Sequence, residues 1–239
     1  KNLGMWYGGR HQNHALLDLS CSVYPGRTLA IMGESGSGKT TLARILAGLQ
    51  VPTSGTIETP EGPLLAWPQK QRAAYIQIIF QNPYSSLNPR HTVRASLQEA
   101  FELAGLPADE GALIRQLEAV SMGEEWLDRY PSRLSGGQRQ RVAIARAMSL
   151  SPRCLICDEA TASLDPTTTV EVLRLLNDLQ KKTGCALIMV CHDLNLVRRM
   201  ADDVLVMADS RAVEYGLAEE VINHPKAKET QALWAAELE

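Results

Sequence analysis

Short apolar runs alternate with stretches of helical periodicity in the first 50 and the last 90 residues of the chain. The apolar run at residues 29–32 leads through a glycine-rich turn into apolar residues at helical spacing, namely Leu42, Ile45, Leu46 and Leu49. Further apolar runs lie at residues 155–157, 186–191 and 204–207, and the first of these precedes a helical pattern that ends near Gly184. Buried strands separated by helices predict an α/β fold with a parallel sheet covered on both faces.

The middle of the chain, at about residues 82–150, departs from this alternation. Three stretches in it, at residues 97–103, 113–120 and 142–148, have helical periodicity. No internal repeat and no low-complexity tract divides the chain. We therefore expect a single domain over residues 1–239, in which residues 82–150 form a helical subdomain.

The composition fits a globular domain and disfavours nucleic-acid-binding and membrane-spanning proteins. Hydrophobic residues make up 45% of the 239 residues, and 24 Lys and Arg against 27 Asp and Glu give a net charge of −3. A charge so nearly balanced gives no electrostatic argument for a nucleic-acid binder. The longest apolar runs are far shorter than the roughly 20 residues of a membrane-spanning helix. Five cysteines and the absence of a signal-peptide pattern favour a reducing, cytosolic setting.

Two groups of potential metal ligands are explained better without a metal. Cys154 and Cys157 form a CxxC pair, but no second pair accompanies them, so we interpret both as small apolar residues of a buried strand. His11 and His14 lie in a polar stretch with no cysteine or carboxylate beside them to complete a ligand set. We therefore expect a solvated turn at these histidines.

A phosphate-binding loop follows the first apolar run. It matches the pattern GxxxxGK[ST] between a predicted strand and a predicted helix, and the residues are Gly33, Glu34, Ser35, Gly36, Ser37, Gly38, Lys39 and Thr40, with Thr41 next. The glycines let consecutive N–H groups and the helix N-terminus point at phosphate oxygens. Lys39 is then placed to neutralise the β- and γ-phosphates, and Thr40 offers a hydroxyl to Mg²⁺. The sequence predicts a nucleotide-phosphate site here.

Two adjacent acids follow the apolar run at residues 155–157. Asp158 lies where the carboxyl ends of strands open onto the ligand crevice of an α/β sheet, and we predict that it holds Mg²⁺. Glu159 is then available to orient or deprotonate the water that attacks the γ-phosphate, because this role needs a carboxylate that is not on the metal. A pair of surface caps is the structural alternative, which the presence of the phosphate loop disfavours.

A glycine-containing segment, Leu134-Ser135-Gly136-Gly137-Gln138, precedes a helical pattern. A helix N-terminus of this kind suits an anion. The segment resembles the signature sequence of the ATP-binding cassette (ABC) ATPases. The resemblance implies an α/β P-loop NTPase fold with a RecA-like core, an N-terminal antiparallel β subdomain and a helical subdomain. It also implies that four residues face the ATP held by a second subunit, namely Ser135, Gly136, Gly137 and Gln138.

Four further positions resemble motifs of this family, in the family's order. Gln81 matches the Q-loop, which implies that its side chain approaches the metal and responds to the membrane partner. Asp165 matches the D-loop, which contacts the opposite subunit, and His192 matches the switch histidine that reaches the γ-phosphate. Tyr7 lies where the family has an aromatic ring that stacks on adenine, and packing of Tyr7 and the adjacent Trp6 is the alternative.

Two stretches resemble one branch of the family. Residues 81–90, QNPYSSLNPR, are similar to a stretch typical of the ATPases of peptide, nickel and metal-chelate importers. The tail, with His224-Pro225 and then TQAL at residues 230–233, is similar to their C-terminal pattern, although Glu229 stands where a tyrosine is usual. Lys1 lies only six residues before Tyr7, so we expect little room for the family's first strand.

The resemblance implies a function, cofactors and partners. The chain is expected to use ATP and Mg²⁺ and to hydrolyse ATP at the interface with a second ABC ATPase subunit, which the resemblance favours as a different chain. Two membrane-spanning permease subunits and, indirectly, an extracytoplasmic binding protein complete a bacterial importer of peptides, nickel or metal chelates. The chain would then lie peripherally on the cytoplasmic face of the inner membrane, with no nucleic acid as partner.

Two alternatives stay open at this point. One is a soluble ABC ATPase that acts on ribosomes or nucleic acid, although the chain has no second cassette, no long coiled-coil insertion and no basic patch. The other is a module that holds ATP without reacting with it. Glu159 and His192 disfavour that module, because a pure binder needs neither residue.

Overall fold

The computed structural model describes residues 1–8, 13–81 and 86–237 of the chain. The chain forms two compact units, which we call unit 1 (Lys1–Ala73 with Ala186–Glu239) and unit 2 (Ala74–Cys185). In the stretches that the structure describes, no helix has the length and apolar character needed to cross a membrane. The expectation of a single domain over 1–239 with a helical subdomain at 82–150 stays a prediction.

The strands and helices are numbered in chain order. Within the described residues the strands are β1 (Leu3–Tyr7), β2 (Asn13–Leu19), β3 (Thr28–Gly33), β4 (Glu58–Thr59), β5 (Gly62–Pro63), β6 (Ile76–Phe80), β7 (Cys154–Asp158), β8 (Ala186–Val190), β9 (Asp203–Ala208) and β10 (Arg211–Leu217). The α-helices of the same residues are α1 (Lys39–Leu46), α2 (Gln69–Tyr75), α3 (Val93–Ala104), α4 (Glu110–Glu118), α5 (Gly136–Met148), α6 (Pro166–Thr183), α7 (Leu194–Met200), α8 (Ala218–Asn223) and α9 (Lys228–Glu237).

A parallel ladder lies at the centre of unit 1. Strand β3 pairs in parallel with β8 on one side and with β9 on the other. All residues of β3 and β8 are buried, which explains the continuous apolar runs that predicted them, since a parallel strand is covered on both faces. Strand β10 adds an antiparallel edge to β9, and β1 and β2 form a separate antiparallel pair.

Helix α1 is shorter than the apolar periodicity suggests. Leu42, Ile45 and Leu46 are buried as predicted. Gly48 then adopts a positive φ of 68°, which ends the helix, and Leu49 after it is 60% exposed. The prediction that the helix extends to Leu49 is therefore wrong.

The N-terminal strand is present despite the few residues that precede Tyr7. Leu3 and Leu19 are register partners in the β1–β2 pair, and both are buried. A second segment also holds β1, because the N–H of Gly4 donates to the carbonyl of Ser54 at 3.0 Å. The expectation of little room for this strand is wrong, because five residues with these partners suffice to form it.

Unit 2 combines a strand pair with helices. Strands β6 and β7 pair in parallel, from Ile76 opposite Cys154 to Phe80 opposite Asp158. Helix α5 packs on β6 and on the neighbouring helices α3, α4 and α6, and its apolar side is fully buried. Helices α3, α4 and α5 occupy the three stretches for which periodicity predicted helices, which confirms that prediction.

The CxxC pair and the histidines have ordinary structural positions. Cys154 and Cys157 are buried in β7, and burial raises the pKa of the Cys157 thiol to about 12. Both are strand residues, as predicted. His14 belongs to strand β2, where its ring lies 6.2 Å from that of Trp6, so the prediction of a turn is wrong for this residue. His11 lies outside the described residues.

Candidate active site

The phosphate loop of unit 1 connects β3 to α1, and glycine is required at both of its ends. Gly33 and Gly38 have positive φ values of 145° and 103°. A Cβ at Gly33 would lie 2.1 Å from the carbonyl oxygen of Met207, and a Cβ at Gly38 would lie 2.3 Å from that of Ala15. Both the backbone conformation and the close approach exclude a side chain, so these glycines fix the path of the loop.

Lys39 is buried inside this loop. Its Nζ donates hydrogen bonds of 2.7 Å to the carbonyl oxygens of Gly33 and Glu34. The lysine thereby braces the loop and brings a positive charge to the N-terminus of α1, where backbone N–H groups already favour an anion.

The remaining loop residues leave one side of the loop open. Among the described residues, no atom lies within 4 Å of the position that a Cβ at Gly36 would take. The Ser37 hydroxyl is buried and has no hydrogen-bond partner within the described residues. The solvent-exposed positions of the loop and of the first turn of α1 are Glu34, Ser35, Gly36 and Thr40, and Thr41 is partly exposed.

His192 lies at the same edge of unit 1 as the phosphate loop. Ile31 of β3 and Val190 of β8 are register partners, and the N–H of Cys191 donates to the carbonyl of Ile31 at 3.2 Å. Gly33 and His192 each follow these partners by two residues. The imidazole is exposed, so unit 1 presents it beside the loop at the carboxyl edge of the parallel strands.

In unit 2 the two acids and Gln81 follow adjacent strand ends. Phe80 and Asp158 are register partners, so Gln81 and Glu159 come next on neighbouring strands. Asp158 is buried, and Glu159 is partly exposed with a positive φ of 50°. A non-glycine residue in this conformation is strained, and such strain concentrates at functional sites.

The signature segment forms a well-capped helix start in unit 2. The Ser135 hydroxyl accepts from the N–H of Gln138 at 3.2 Å, and the Gln138 side chain accepts from the N–H of Ser135 at 2.9 Å. This reciprocal pair is a capping box at the N-terminus of α5. The Arg139 guanidinium also donates to the carbonyls of Leu134 and Pro131. The segment therefore has a defined conformation.

The D-loop acid caps the next helix, and that helix touches the signature. The Asp165 carboxylate accepts from the N–H of Thr168 at 3.0 Å, at the start of α6. A Cβ at Gly136 would lie 3.5 Å from Cδ2 of Leu164, and a Cβ at Gly137 would lie 2.4 Å from Cγ2 of Thr168. The two signature glycines thus rest on the first turn of α6 and the residue before its cap.

Tyr7 presents its ring at the end of β1. The side chain is 46% exposed, and its hydroxyl accepts a hydrogen bond from the amide of Gln50. The neighbouring Trp6 turns toward His14 instead. Of the two rings, Tyr7 is therefore the one with a face available for stacking.

Each unit holds part of the predicted site. Unit 1 carries Tyr7, the phosphate loop, Thr41 and His192, and unit 2 carries Gln81, Asp158, Glu159, the signature residues and Asp165. Three supporting residues were missed by the sequence argument, namely Gln50, Arg139 and Thr168. Thr168 alone had a local signal, because it is the third residue after an aspartate that begins a helix.

The chain is similar to a known protein family and to transport ATP-binding proteins. The family model described as ABC transporter matches residues 16–162. The dipeptide transport ATP-binding protein DppF of Escherichia coli (strain K12) is 42% identical over 229 residues, which are 93% of this chain and 68% of that protein. The nickel import ATP-binding protein NikE of the same strain is 41% identical over 215 residues, which are 87% of this chain and 80% of that protein.

Two solved structures share the fold. The dimeric post-hydrolysis state of the ATP-binding cassette MJ0796, bound to ADP and Pi, has a TM-score of 0.80 and 27% identity, over 91% of this chain and 97% of that one. The structure of cbiO1 from Clostridium perfringens, part of the ABC transporter complex cbiONQ, has a TM-score of 0.78 and 30% identity, over 94% of this chain and 89% of that one.

Proposed function

The chain belongs to the ABC transporter family and is an ATP-binding, ATP-hydrolysing cassette, and from this we propose that it powers a bacterial importer of peptides, nickel or metal chelates. The observation that carries the proposal is the similarity of almost the whole chain to both DppF and NikE. Because the two relatives match about equally well, the proposal covers both substrate classes.

The phosphate loop supports the assignment of the ATP site. Its open side at Gly36 fits a phosphate group, as does the buried hydroxyl of Ser37, which has no partner in the described part of the chain. We propose that Lys39 exchanges its loop carbonyls for the β- and γ-phosphate oxygens, since charge-assisted bonds to phosphate are stronger than bonds to a carbonyl. Tyr7 would stack on adenine through a ring face that needs no base-specific hydrogen bond.

The donors proposed for Mg²⁺ fit its chemistry. Thr40 offers a hydroxyl, Gln81 a carboxamide oxygen and Asp158 a carboxylate, and Mg²⁺ prefers such hard oxygen ligands. When bound, the ion neutralises charge on the phosphates. The strand ends that carry Gln81 and Asp158 are adjacent in unit 2, which supports their acting together.

The proposed reaction is an in-line attack of water on the γ-phosphate. Glu159 accepts a proton from this water while the oxygen bonds to phosphorus, and the bond to the bridging oxygen breaks, so that its electron pair leaves with ADP. His192 would donate a hydrogen bond to the γ-phosphate. Ser135 and Gly137, at the N-terminus of α5, would complete the site of a second subunit, where the helix dipole favours the transferring phosphoryl group.

The partners follow from the same relatives. We propose a second ABC ATPase subunit, a pair of permease subunits and, indirectly, an extracytoplasmic binding protein, with this chain peripheral on the cytoplasmic side of the membrane. Support comes from the names of DppF and NikE as transport and import ATP-binding proteins and from cbiO1 as part of a transporter complex.

Co-purification tests the importer proposal against the ribosomal alternative. The tagged chain is expressed together with the permease subunits of a peptide or nickel importer from the same cell, and detergent-solubilised membranes and ribosomes are assayed for it. We expect the permeases to co-purify with it and to stimulate phosphate release from ATP. Recovery with ribosomes and not with permeases would contradict the proposal.

A further inference from the structure

We propose that Thr168 is a positioning residue that joins the D-loop acid Asp165 to the signature glycine Gly137. The signature, which is proposed to face the partner subunit's ATP, and the D-loop, which is proposed to contact that subunit, would then keep a fixed relative position. This inference rests on the proposed function and deepens it. It concerns three residues that all lie in unit 2.

The first link joins Thr168 to the D-loop. Its N–H donates to the Asp165 carboxylate at 3.0 Å, and its hydroxyl bonds the same carboxylate. These hydrogen bonds, with that from the hydroxyl as the larger effect, hold the pKa of Asp165 below its usual value. Asp165 is thereby kept as an ionised cap on the first turn of α6.

The second link joins Thr168 to the signature. Its methyl carbon Cγ2 would lie 2.4 Å from a Cβ at Gly137, which is closer than non-bonded carbons approach, while the other atoms of Thr168 would lie 3.7 Å or more away. The methyl group therefore contacts the glycine backbone directly. Leu164 flanks the same surface, since a Cβ at Gly136 would meet its Cδ2 at 3.5 Å.

If the contact between Thr168 and Gly137 shifts, the whole signature segment shifts with it. The capping box holds Ser135 to Gln138, and Arg139 holds the carbonyl of Leu134. The signature therefore moves with the start of α5 as one piece. A shift of about 1 Å in a group that positions a reacting phosphate lowers a rate by as much as about 100-fold.

Threonine is suited to position 168 because its hydroxyl bonds Asp165 while its methyl group contacts Gly137. Thr168→Val keeps the methyl contact with Gly137 and loses the hydroxyl bond to Asp165. Thr168→Ser keeps the hydroxyl bond and loses the methyl contact. Thr167→Val and Thr167→Ser are matched controls, because Thr167 is exposed on the same turn of α6.

The experiment measures kcat and KM for Mg-ATP in the complete importer, with the nucleotide affinity and the thermal midpoint of each variant chain. We expect both Thr168 variants to lower kcat by about tenfold. KM and nucleotide affinity should stay within about twofold, because the chain's own phosphate loop is untouched. A residue that only stabilised the fold would lower the midpoint without this selective loss of kcat.

A pair of compensating substitutions tests the contact between Thr168 and Gly137. Gly137→Ala should lower kcat, because its methyl would clash with Cγ2 of Thr168. Combining it with Thr168→Ser moves one methyl group across the contact, so the double variant should exceed both single variants in kcat. A double variant no better than Gly137→Ala overturns the inference, as do Thr168 variants that match their Thr167 controls.

A Lys39→Ala complex separates this failure from failure of the proposed function. If ATP turnover survives in that complex, the proposed function is wrong. If turnover is lost there but the Thr168 variants behave like the controls, only the positioning role is wrong.

Discussion

The side chain of Lys39 has two roles. It braces the phosphate loop through hydrogen bonds, and it supplies the positive charge of the loop. Lys39→Ala removes the two hydrogen bonds to loop carbonyls and the ammonium group. We expect phosphate release to fall by about 100-fold or more, as when a preorganised charge partner of a transition state is lost. A colorimetric phosphate assay checks this result. Lys70→Ala, an exposed lysine of α2, is the control and should match the wild type.

Gln50 is predicted to orient the ring of Tyr7 through their hydrogen bond. Gln50→Leu keeps the side-chain volume and removes the amide. We expect KM for ATP to rise by about two- to fivefold with kcat unchanged, since a net hydrogen bond contributes about 1 kcal/mol. Tyr7→Phe should have the same effect, and the double variant should add nothing further. An unchanged KM in Gln50→Leu would show that the bond does not position the ring.

The sequence predicted some of these residues and not others for a physical reason. The phosphate loop, Asp158 and Glu159 lie in local patterns, because a loop that wraps a phosphate needs its glycines and its lysine at fixed spacing. The contacts of Gln50 with Tyr7 and of Thr168 with Gly137 join segments that are distant in the chain. No local spacing encodes them, so only the folded structure shows them.

At the scale of elements, helix α9 is anchored by a carboxylate from strand β10. Glu214 accepts from the N–H groups of Lys226 and Ala227, at 2.9 and 3.1 Å. Trp234 on the same helix is buried, and its indole N–H donates to the carbonyl of Val221 at 3.0 Å. The tail pattern that resembles the importer ATPases therefore forms a docked helix.

The anchor of α9 makes stability depend on pH. Burial raises the pKa of Glu214, but the hydrogen bonds that the carboxylate accepts, the first of them from the N–H of Lys226, and the positive charge of Lys226 together outweigh it, so that the folded pKa lies below the ordinary value of 4.5. The ionised carboxylate therefore stabilises the fold above that value, and the stabilisation is lost as pH falls through the folded pKa. Glu214→Gln should lower the thermal midpoint at pH 7 by roughly 2–4 °C, which corresponds to about 1 kcal/mol.

Thermal unfolding at pH 7 and at pH 3 checks the role of Glu214. The difference between wild type and Glu214→Gln should shrink at the lower pH, because the wild-type carboxyl gains protons as pH falls and its bonds to the two N–H groups weaken. Glu237→Gln, at the other end of α9, is the control and should show no such loss. A difference of equal size at both pH values would contradict the anchor.

The sequence predicted the strands that are completely buried, but it did not predict the edge strand of the sheet or the end of helix α1. Strands β3 and β8 are covered on both faces, so their continuous apolar runs marked them in the sequence. Strand β10 was missed, because as an antiparallel edge strand it alternates between exposed and partly buried residues and carries no apolar run. The predicted helix α1 is longer than the observed one, because the apolar periodicity does not show that Gly48 ends the helix.

For the whole molecule, the signature and D-loop predict a catalytic site shared between two subunits. The solved relative MJ0796 is a dimer in its post-hydrolysis state. If two chains share each site, the hydrolysis rate of the isolated chain should rise faster than linearly with its concentration, or appear only with its partner subunit. Phosphate release across a dilution series, with the oligomeric state followed by light scattering, checks this. A strictly linear rate in a range where the chain is monomeric would contradict the shared site.

Substitution of Glu159 tests most directly whether this chain hydrolyses ATP between two closed subunits. Glu159→Gln keeps the shape of the side chain but cannot accept a proton from water. If Glu159 lies at the γ-phosphate as proposed, the substitution also removes a negative charge from beside three phosphates, so ATP binding should survive while hydrolysis stops.

The decisive measurement is size-exclusion chromatography of Glu159→Gln in Mg-ATP, with phosphate release assayed on the eluted peak. We expect a shift to a dimer, with itself or with the partner ATPase, that retains ATP and releases almost no phosphate. Hydrolysis at the wild-type rate would contradict the assignment of Glu159 as the catalytic carboxylate, and loss of ATP binding would contradict the division of roles between Asp158 and Glu159.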